Sequence, residues 1–514
     1  MNFCGRKNYG QMLRINTLIL LVILLGSCSS LPTNPESLPK DYAPTPATSG
    51  ILTEMENQIR HEQGARQSGF WLLDRNAEAL NWRLAMLDSA ESSLDVLYYL
   101  WYGDVSGRLV LKRVLDAADR GVRVRLLVDD LLLIGSDKSL LAIDRHPNIR
   151  LRLFNPKRQR RAGMAFDFLT RFDQMNSRMH DKLIVADNRA AILGGRNIGD
   201  YYFGLNKHYN FHDLDVLGFG PVARQSSELF DNFWNSDWLI AASELPGTID
   251  ELEMAERGEK LIEGLNTSDS LSHIPIESQD WTDRLRALLP ELHIGSSEII
   301  FDRMEDGEMV QSMRDPLGKM FWSAKKDIRL VNAYIIPDQN FIDSMQQITE
   351  KGIDIRILTN SLASHDVPAV NSHYQKWRKP ILLAGAELFE LRSDPAIKPR
   401  VDTAPVVSKF IGLHTKSAVI DGHKVFIGSM NFDPRSADIN SEMGVIIDSP
   451  SLGKQMIRLA ERDMAPQNAW QVKLDENGDL IWVNSDETVS RQPARNTWQR
   501  FMNGVFKILP KSQF

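Results

Sequence analysis

Apolar positions recur along the chain first at helical spacing and then in short continuous runs, a pattern typical of helices that alternate with strands. The first such stretch predicts a helix and then a strand near residues 94–101; it reads WRLAMLDSAESSLDVLYYLWY. The next predicts a helix that stops at Gly121 and a second strand; it reads SGRLVLKRVLDAADRGVRVRLLVDD. This order forms a βαβ unit, which predicts a parallel or mixed sheet flanked by helices.

The same order of elements returns in the second half of the chain. One stretch predicts a helix, a strand, a second helix that stops at Gly352, and another strand; it reads MFWSAKKDIRLVNAYIIPDQNFIDSMQQITEKGIDIRILTN. Gly121 precedes His180 by 59 residues, and Gly352 precedes His414 by 62 residues. The repeat therefore extends through whole lobes and predicts an α/β protein with two pseudo-symmetric lobes, built by internal duplication.

Changes of composition divide the chain into six segments. We predict a signal peptide at 1–27, a flexible tether rich in Ser, Pro, Thr and Glu at 28–65, a first lobe at 66–242, an acidic connector with some helix at 243–306, a second lobe at 307–480, and a C-terminal tail with a helix at 481–514.

The helix predicted in the tail has four apolar residues near helical spacing. They are Trp498, Phe501, Val505 and Leu509. We favour packing of the tail on the second lobe, and the alternative is contact with a membrane surface.

The N-terminal segment resembles the signal of bacterial lipoproteins. Three basic residues precede an apolar run at 18–25 that is too short to span a bilayer, and the run ends in the letters LGSC. The resemblance implies cleavage before Cys28, acylation of this cysteine, and a lipid-anchored position on the periplasmic side of the cell envelope. In such signals an aspartate after the cysteine marks retention in the inner membrane. Ser29 at this position therefore favours the outer membrane, with the inner membrane as the alternative. An uncleaved signal anchor is the alternative.

The composition of the 514 residues, 43% hydrophobic and 25% charged, is that of an ordinary globular protein. The formal net charge of −7 argues against a dedicated nucleic-acid binder, so we expect no nucleic-acid partner. Cys4 and Cys28 are the only cysteines, so we expect neither a disulfide nor a thiolate metal site. We also expect no cofactor, and a monomeric protein.

Two stretches of 18 residues carry nearly the same polar residues. They read HDKLIVADNRAAILGGRN, from His180 to Asn197, and HTKSAVIDGHKVFIGSMN, from His414 to Asn431. In each, a lysine follows the histidine by two residues, an aspartate by seven and an asparagine by seventeen. Because side chains two apart lie on one face of a strand, each histidine shares a face with its lysine. These lysines and aspartates are Lys182, Lys416, Asp187 and Asp421.

Histidine, lysine and asparagine together suit a phosphate group. Lysine supplies positive charge, asparagine a neutral donor, and histidine a nucleophile or a proton. Two facing sets can exchange a phosphodiester without a metal ion. One imidazole attacks phosphorus while the other protonates the departing alkoxide, and the roles reverse in the second half of the reaction.

A carboxylate on the second ring nitrogen would orient each imidazole and stabilise its positive form. Glu442, in the stretch SEMGVIID, follows His414 by 28 residues. The first lobe offers Asp213 and Asp215 in the stretch HDLDVLGF. We favour Asp215, with Asp213 as the alternative.

The motif H-x-K-x4-D-x6-G-[G/S]-x-N, present twice, resembles the signature of the phospholipase D superfamily. That resemblance implies two lobes that share one active site and react through a phosphohistidine. It assigns the nucleophile to His180 and the acid and base to His414. It implies that Lys182, Lys416, Asn197 and Asn431 bind the phosphate oxygens. We expect Asp187 and Asp421 to have a structural role. The copies differ at Gly195, which aligns with Ser429.

The neighbouring stretches resemble bacterial cardiolipin synthases of the C type; they read GGRNIGDYYFG, DLDVLGFGPV, TNSLASHDVPAVNSHYQKWRK and FIGSMNFDPRSADINSEMG. This implies phospholipid substrates: transfer of a phosphatidyl group from phosphatidylethanolamine or phosphatidylglycerol to phosphatidylglycerol. The alternatives are a hydrolytic phospholipase D that releases phosphatidic acid, a phosphodiesterase acting on nucleic acid, and a non-catalytic lipid-binding protein.

Two further patterns could have either a structural or a functional role. His208 and His212 are spaced like zinc ligands, but no third histidine or cysteine stands nearby, so we predict no metal. The stretch NPKRQRRAGMAFDFLTRF mixes basic and apolar residues. We favour a solvated loop there, and the alternative is a lip that touches anionic headgroups and acyl chains at the entrance of the site.

Overall fold

The structure of the protein is a computed structural model that describes residues 38–133, 135–157 and 176–506. The described chain forms two lobes that each contain a mixed sheet with helices packed against it. In the first lobe the strands are β1 (Ser68–Leu73), β2 (Ser93–Tyr98), β3 (Arg123–Asp129), β4 (Ile149–Phe154), β5 (Lys182–Ala186), β6 (Ala190–Gly194), β7 (Tyr209–His212), β8 (Asp215–Phe219) and β9 (Leu239–Ala241).

The helices of the first half follow the same chain order. They are α1 (Ile51–Gln63), α2 (Asn76–Ser89), α3 (Val105–Asp119), α4 (Asp137–Asp144), α5 (Pro221–Trp234), α6 (Glu251–Asn266) and α7 (Thr282–Leu288).

The second half has a corresponding set of elements. Its strands are β10 (His293–Phe301), β11 (Arg303–Glu305), β12 (Glu308–Val310), β13 (Asp327–Asn332), β14 (Asp354–Asn360), β15 (Glu387–Leu391), β16 (Phe410–Leu413), β17 (Lys416–Ile420), β18 (Lys424–Gly428), β19 (Met443–Asp448), β20 (Ala469–Leu474), β21 (Leu480–Val483) and β22 (Thr488–Val489). Its helices are α8 (Arg314–Trp322), α9 (Gln339–Thr349), α10 (Pro368–Tyr374), α11 (Arg378–Leu383), α12 (Lys398–Val401), α13 (Pro434–Asp438), α14 (Pro450–Met464) and α15 (Thr497–Phe506).

The two sheets have the same strand order, which confirms the predicted duplication. In the first lobe the order is β9-β4-β3-β2-β5-β6-β8-β1, with β2, β3 and β4 parallel and the other pairings antiparallel. In the second it is β20-β15-β14-β13-β17-β18-β19-β10, with β13, β14 and β15 parallel. The predicted stops at Gly121 and Gly352 both follow a helix, and both have a positive φ that favours glycine.

Strand β10 joins the two sheets. Its first part pairs with β1 of the first lobe, with Gly295 opposite Ser68. The rest pairs with β19 of the second lobe, beginning with Ser296 opposite Asp448. The predicted connector at 243–306 contains the expected helices, α6 and α7, but it also supplies the whole of this joining strand.

The predicted tether differs from the structure over its described part, which begins at residue 38. Helix α1 lies within the tether and packs on the first lobe through Leu52, Met55 and Ile59, which are nearly inaccessible to solvent. Before it, the backbone carbonyl of Asp41 accepts a hydrogen bond from Arg125. Helix α1 packs on the lobe because Leu52, Met55 and Ile59, at positions i, i+3 and i+7, share one helix face.

The C-terminal helix α15 is present as predicted and packs on α10 of the second lobe. Its polar residues make the contact, because Gln499 donates to the carbonyl of Leu362 and Asn503 accepts from Asn371. The predicted packing of the tail on the second lobe is therefore present, but the polar face of the helix makes it and the apolar stripe does not. Three members of that stripe are substantially exposed, namely Trp498, Phe501 and Val505.

Several predictions fall outside the described residues. They are the signal peptide, lipidation at Cys28, the place of Leu509, and all but the first three residues of the mixed basic and apolar stretch that starts at Asn155. Across the parts of the chain that are described, no helix combines the length and apolar character that a bilayer crossing requires.

Candidate active site

The two repeated motifs meet at the junction between the lobes. His180 lies two residues before Lys182, the first residue of β5, and His414 lies two residues before Lys416, the first residue of β17. Both imidazoles, with Asn197 and Asn431, line one cavity of about 600 Å³. The motifs therefore contribute to a single site.

Two backbone pairings between the lobes bring the histidines together. Strands β7 and β16 run parallel, with Leu413 opposite His212, and the amide of His414 donates to the carbonyl of His212 at 2.8 Å. On the other side a single parallel bridge joins Met179 to Ser441, and the amide of His180 donates to the carbonyl of Ser441 at 3.1 Å. Each histidine thus lies beside the residue that precedes a carboxylate of the opposite lobe.

The imidazole–carboxylate pairs are consequently formed crosswise. His180 Nδ1 lies 2.9 Å from Glu442 Oε2, and His414 Nδ1 lies 2.6 Å from Asp213 Oδ2. Both carboxylates are fully buried. Each imidazole of one lobe is oriented by a carboxylate of the other.

The role that we assigned to Asp215 belongs to Asp213, the alternative. Asp215 Oδ2 instead pairs with Arg83 at 2.8 Å and Arg196 at 3.0 Å, and all three side chains are buried. Strand register explains the correction: Gly194 pairs with Asp215 as Gly428 pairs with Gly444.

Asp215 is therefore the counterpart of Gly444, and Asp213 is the counterpart of Glu442, two residues earlier. The apolar run of β8 begins directly after Asp215 and that of β19 begins directly after Glu442, so an alignment of the two runs by their first residues is shifted by one pleat repeat.

The difference between Gly195 and Ser429 follows from the two carboxylates. The Ser429 hydroxyl donates to Glu442 and accepts from the amide of Met443. A side chain at Gly195 would collide with the carboxylate of Asp213, whose Oδ1 accepts instead from the amide of Leu214 at 2.8 Å. The glycine leaves space for Asp213, while the serine helps to position Glu442.

Burial changes the proton affinity of both histidines. It lowers the pKa of His180 well below the ordinary value of 6.5, and the positive charges of Lys182 and Lys416 lower it further. Burial also lowers the pKa of His414, again with help from Lys416, although Asp213 opposes the shift. The ring of His180 is therefore neutral at pH 7, as a nucleophilic imidazole requires.

The two carboxylates respond in opposite directions. Burial raises the pKa of Glu442 well above its ordinary value, despite the nearby charge of Lys182. Burial would also raise the pKa of Asp213, but His414 outweighs it and holds that pKa far below the ordinary range. Asp213 thus keeps its negative charge next to His414, which favours a protonated His414 during the reaction.

The motif lysines lie behind the histidines and are almost inaccessible to solvent. Lys182 Nζ donates to the carbonyl of His180, and Lys416 Nζ donates to that of His414. Burial lowers the pKa of both, and that of Lys182 falls to about 7 while Glu442 opposes the shift.

The motif asparagines differ in how they are held. Asn197 accepts from the amide of Leu100 at 3.2 Å and donates to the Tyr202 hydroxyl at 2.9 Å. Asn431 Oδ1 is buried and has no hydrogen-bond partner among the described residues.

The motif aspartates lie away from the cavity. Asp187 Oδ1 accepts from the amides of Ser92 and Ser93 at 2.7 and 3.0 Å. Asp421 Oδ1 does the same in the second lobe, from the amides of residues 326 and 327 at 2.8 and 3.1 Å. Each fixes the turn that leads into the neighbouring strand, in line with the structural role expected for them.

Most of the other side chains that line this cavity of about 600 Å³, called the catalytic cavity below, were not among the predicted site residues. Many are aromatic or charged: Tyr99, Tyr102, Tyr201, Tyr202, Tyr209, Tyr334, Asp366 and Arg435. The hydroxyl of Tyr334 donates to Asp366 at 2.7 Å. Several of these residues lie in stretches whose likeness to known enzymes was noted, but no spacing rule assigns them to the site.

The histidine pair weighed as zinc ligands is divided between two environments. His208 is exposed, whereas His212 Nε2 lies 2.7 Å from Asp463 Oδ2. Within the described ranges, no three histidine, cysteine, aspartate or glutamate side chains are grouped so that they could hold a metal ion.

Comparison with known families agrees with this arrangement. Residues 84–234 and 317–464 match the family model described as "Cardiolipin synthase, PLD-like domain". The chain belongs to the cardiolipin synthase family. One matched segment lies within each lobe, which confirms the predicted membership in the phospholipase D superfamily. Membership in this family supports an enzyme that modifies phospholipids.

The chain is also similar in sequence to individual cardiolipin synthases. It is 36% identical over 462 residues to cardiolipin synthase C of Escherichia coli K12, a match that covers 86% of this chain and 95% of that protein. It is 25% identical over 415 residues to a cardiolipin synthase of Staphylococcus aureus Mu50, covering 80% of this chain and 67% of that protein.

Solved structures agree on the fold. The phosphatidylserine synthase of Haemophilus influenzae Rd KW20 superposes with a TM-score of 0.54 at 12% identity, and the match covers 80% of this chain and 91% of that one. This likeness supports the two-lobed phospholipase D fold.

Proposed function

We propose that this protein makes cardiolipin by transferring a phosphatidyl group to phosphatidylglycerol through a phosphohistidine. The donor is phosphatidylglycerol or phosphatidylethanolamine. One observation carries the proposal: two buried imidazoles line a common cavity, and each is oriented by a carboxylate of the opposite lobe. This is the arrangement that a metal-free exchange of phosphodiester alcohols requires.

In the first half-reaction, neutral His180 attacks the donor phosphorus. Its Nδ1 is engaged by Glu442, so Nε2 is the nitrogen that forms the new bond. As the P–N bond forms, the P–O bond to the donor alcohol breaks, and the departing oxygen takes a proton from His414. Positive charge from the two motif lysines and donors from the motif asparagines balance the phosphate oxygens.

In the second half-reaction, the hydroxyl of phosphatidylglycerol enters in place of the departed alcohol. Neutral His414 removes its proton, the oxygen forms a P–O bond, and the P–N bond to His180 breaks. Both histidines return to their starting states. The product is a second phosphodiester, so no external energy source is needed.

The assignment of roles rests on the two carboxylates. Asp213 keeps its charge and can stabilise a positive His414, which is what an acid needs before it donates. Glu442, the neighbour of His180, has a raised pKa, and the pKa of His180 is well below 6.5. A ring that stays neutral suits the nucleophile.

The decisive experiment incubates the purified protein with radiolabelled phosphatidylglycerol, with and without phosphatidylethanolamine, and separates the lipid products. Cardiolipin formed by the wild type and not by His180→Ala would support the proposal. Phosphatidic acid alone would replace transfer with hydrolysis, the same chemistry with water as acceptor. Cleavage of nucleic acid without lipid turnover would overturn both.

We further propose that the protein is a monomer anchored at Cys28 on the periplasmic side of the cell envelope. An anchored enzyme would remain at the surface that holds its water-insoluble substrates. Cells fed labelled palmitate should label the wild type but not Cys28→Ala, and continued labelling of that variant would reject the anchor. Light scattering in detergent would test the monomer.

A further inference from the structure

A second cavity, of about 420 Å³, lies between helices α8 and α9 and the residues that follow β18. Apolar side chains form most of its wall, among them Leu317, Phe321, Phe341, Met345, Met430 and Phe432. Leu317, Met345 and Met430 are almost fully buried. The size and lining fit a hydrocarbon ligand better than a polar one.

This apolar cavity adjoins the catalytic cavity. Asn431 and Asp433 line both cavities, so the wall between them contains the last residue of the second repeated motif. The motif asparagine is one of the residues assigned above to the phosphate. A ligand whose phosphate reaches Asn431 therefore has an apolar chamber directly beside it.

The polarity of the apolar cavity changes from its interior to its rim. Arg314 and Asp438 belong to its lining and form an ion pair of 2.7 Å with each other. Both side chains are more than half exposed, so this pair marks the solvent side. The interior is closed by Leu317 and Met345, together with Ile348.

We infer that the apolar cavity binds one acyl chain of the phospholipid whose phosphate lies between His180 and His414. The inference rests on the proposed function, which supplies a substrate with a phosphate and fatty chains close together. Burying a methylene group in such a cavity removes it from water and contributes to substrate affinity. The cavity would thereby select a phospholipid over a short soluble phosphodiester.

Gly318 on α8 offers a way to fill the cavity. It belongs to the lining, and a Cβ added there would meet no heavy atom within 4 Å. Gly318→Leu therefore places a branched side chain at this wall without a clash at Cβ. Gly258→Leu on α6 is the matched control, because that helical glycine is equally unobstructed and lies outside the cavity. Leucine also favours helix over glycine at both positions.

The test compares soluble phosphatidylglycerols in which one chain is fixed at four carbons and the other has four, six or eight. With wild type we expect kcat/KM to rise about fourfold per added methylene, the factor equivalent to ~0.8 kcal/mol, or on the order of 200-fold from four to eight carbons. Gly318→Leu should reduce this ratio to within about threefold of unity, while Gly258→Leu keeps it. An unchanged ratio in Gly318→Leu, or the same loss in both variants, would overturn the inference.

Failure of the proposed function would look different. Wild type would then turn over none of these lipids, and calorimetric titration with octyl phosphate would test the cavity alone. Tighter binding by wild type and Gly258→Leu than by Gly318→Leu would support the acyl-chain site without the reaction. Equal binding by all three would reject it.

Discussion

Glu442 of the second lobe contacts the imidazole of His180 in the first, with 2.9 Å between Oε2 and Nδ1. The reverse pair, Asp213 and His414, has the same relation at 2.6 Å. Neither lobe therefore completes a histidine–carboxylate pair by itself. The duplication yields complete histidine–carboxylate pairs only after the two copies have packed together.

The correction from Asp215 to Asp213 makes a direct prediction. Asp213→Asn should lower kcat by about 10²–10⁴ with a near-native unfolding temperature, because it removes the charge that supports a protonated His414. Asp215→Asn should mainly destabilise the fold, by about 3–5 kcal/mol, because it leaves buried Arg83 and Arg196 without their anion. Activity assays and denaturant titration of both variants measure the two effects. The reverse pattern would restore the original assignment.

Much of the site could be predicted from residues close together in the sequence. The matched spacing of His180 with Asn197, and of His414 with Asn431, indicated one repeated phosphate site. The period of two along a strand then put each lysine on the face of its histidine.

The carboxylate partners could not be assigned in the same way, because Asp213 and His414 are 201 residues apart and meet through a parallel pairing between lobes. A sequence pattern within one lobe carries no information on that pairing.

Helix faces show the same limit from another direction. Leu52, Met55 and Ile59 have the spacing of one helix face, which could have predicted α1. The polar composition around them led us to predict a tether instead. In α15 the spacing predicted a helix correctly, yet its polar side makes the contacts, because Gln499 and Asn503 find hydrogen-bond partners there. Periodicity indicates that a face exists, and tertiary partners decide which face is buried.

The glycine and serine of the two motifs should respond differently to alanine. Gly195→Ala introduces a Cβ against the Asp213 carboxylate and should displace it from His414, with a loss of kcat of about 100-fold or more. Ser429→Ala removes one hydrogen bond to Glu442 and should cost about tenfold. Steady-state rates with thermal unfolding as a folding control measure the difference, and equal losses would contradict this account.

The motif aspartates should affect stability more than catalysis. Asp187→Ala removes a buried carboxylate and leaves the amides of Ser92 and Ser93 without their acceptor, which should lower the free energy of unfolding by about 1–3 kcal/mol. Asp421→Ala should cost less, since that turn is more exposed. Both variants should keep kcat within about threefold of wild type when assayed well below their unfolding temperatures. A loss of kcat in a stably folded Asp187→Ala protein would assign this residue to the chemistry.

The lowered pKa values predict the pH dependence of kcat/KM. A nucleophilic imidazole must be neutral, and the pKa of His180 lies well below 6.5, so the acid limb should have its midpoint below pH 6.5. Lys182 must be charged to bind phosphate, and with a pKa of about 7 it loses that charge as the pH rises through 7. Activity should therefore fall on the alkaline side of neutrality. Rates between pH 4.5 and 9 with a soluble substrate test both limbs, and an acid midpoint above 6.5 would contradict the neutral nucleophile.

The division of labour between the histidines can be tested with a substrate that needs no acid. The p-nitrophenyl ester of phosphatidic acid carries a leaving group that departs without a proton, so His414→Ala should still form the phosphohistidine. We expect a burst of about one p-nitrophenolate per enzyme from His414→Ala, followed by slow turnover, because no base remains to activate the acceptor.

His180→Ala should show no burst with the same ester, since its nucleophile is missing. The trapped lipid–enzyme adduct should be labile in acid and stable in base, as a phosphoramidate is, and peptide mapping should place it on His180. A burst from His180→Ala but not from His414→Ala would exchange the two roles. It would also place Glu442, whose pKa is raised, beside the acid in place of Asp213, whose pKa is lowered, and the opposite pKa shifts of the two carboxylates argue against this.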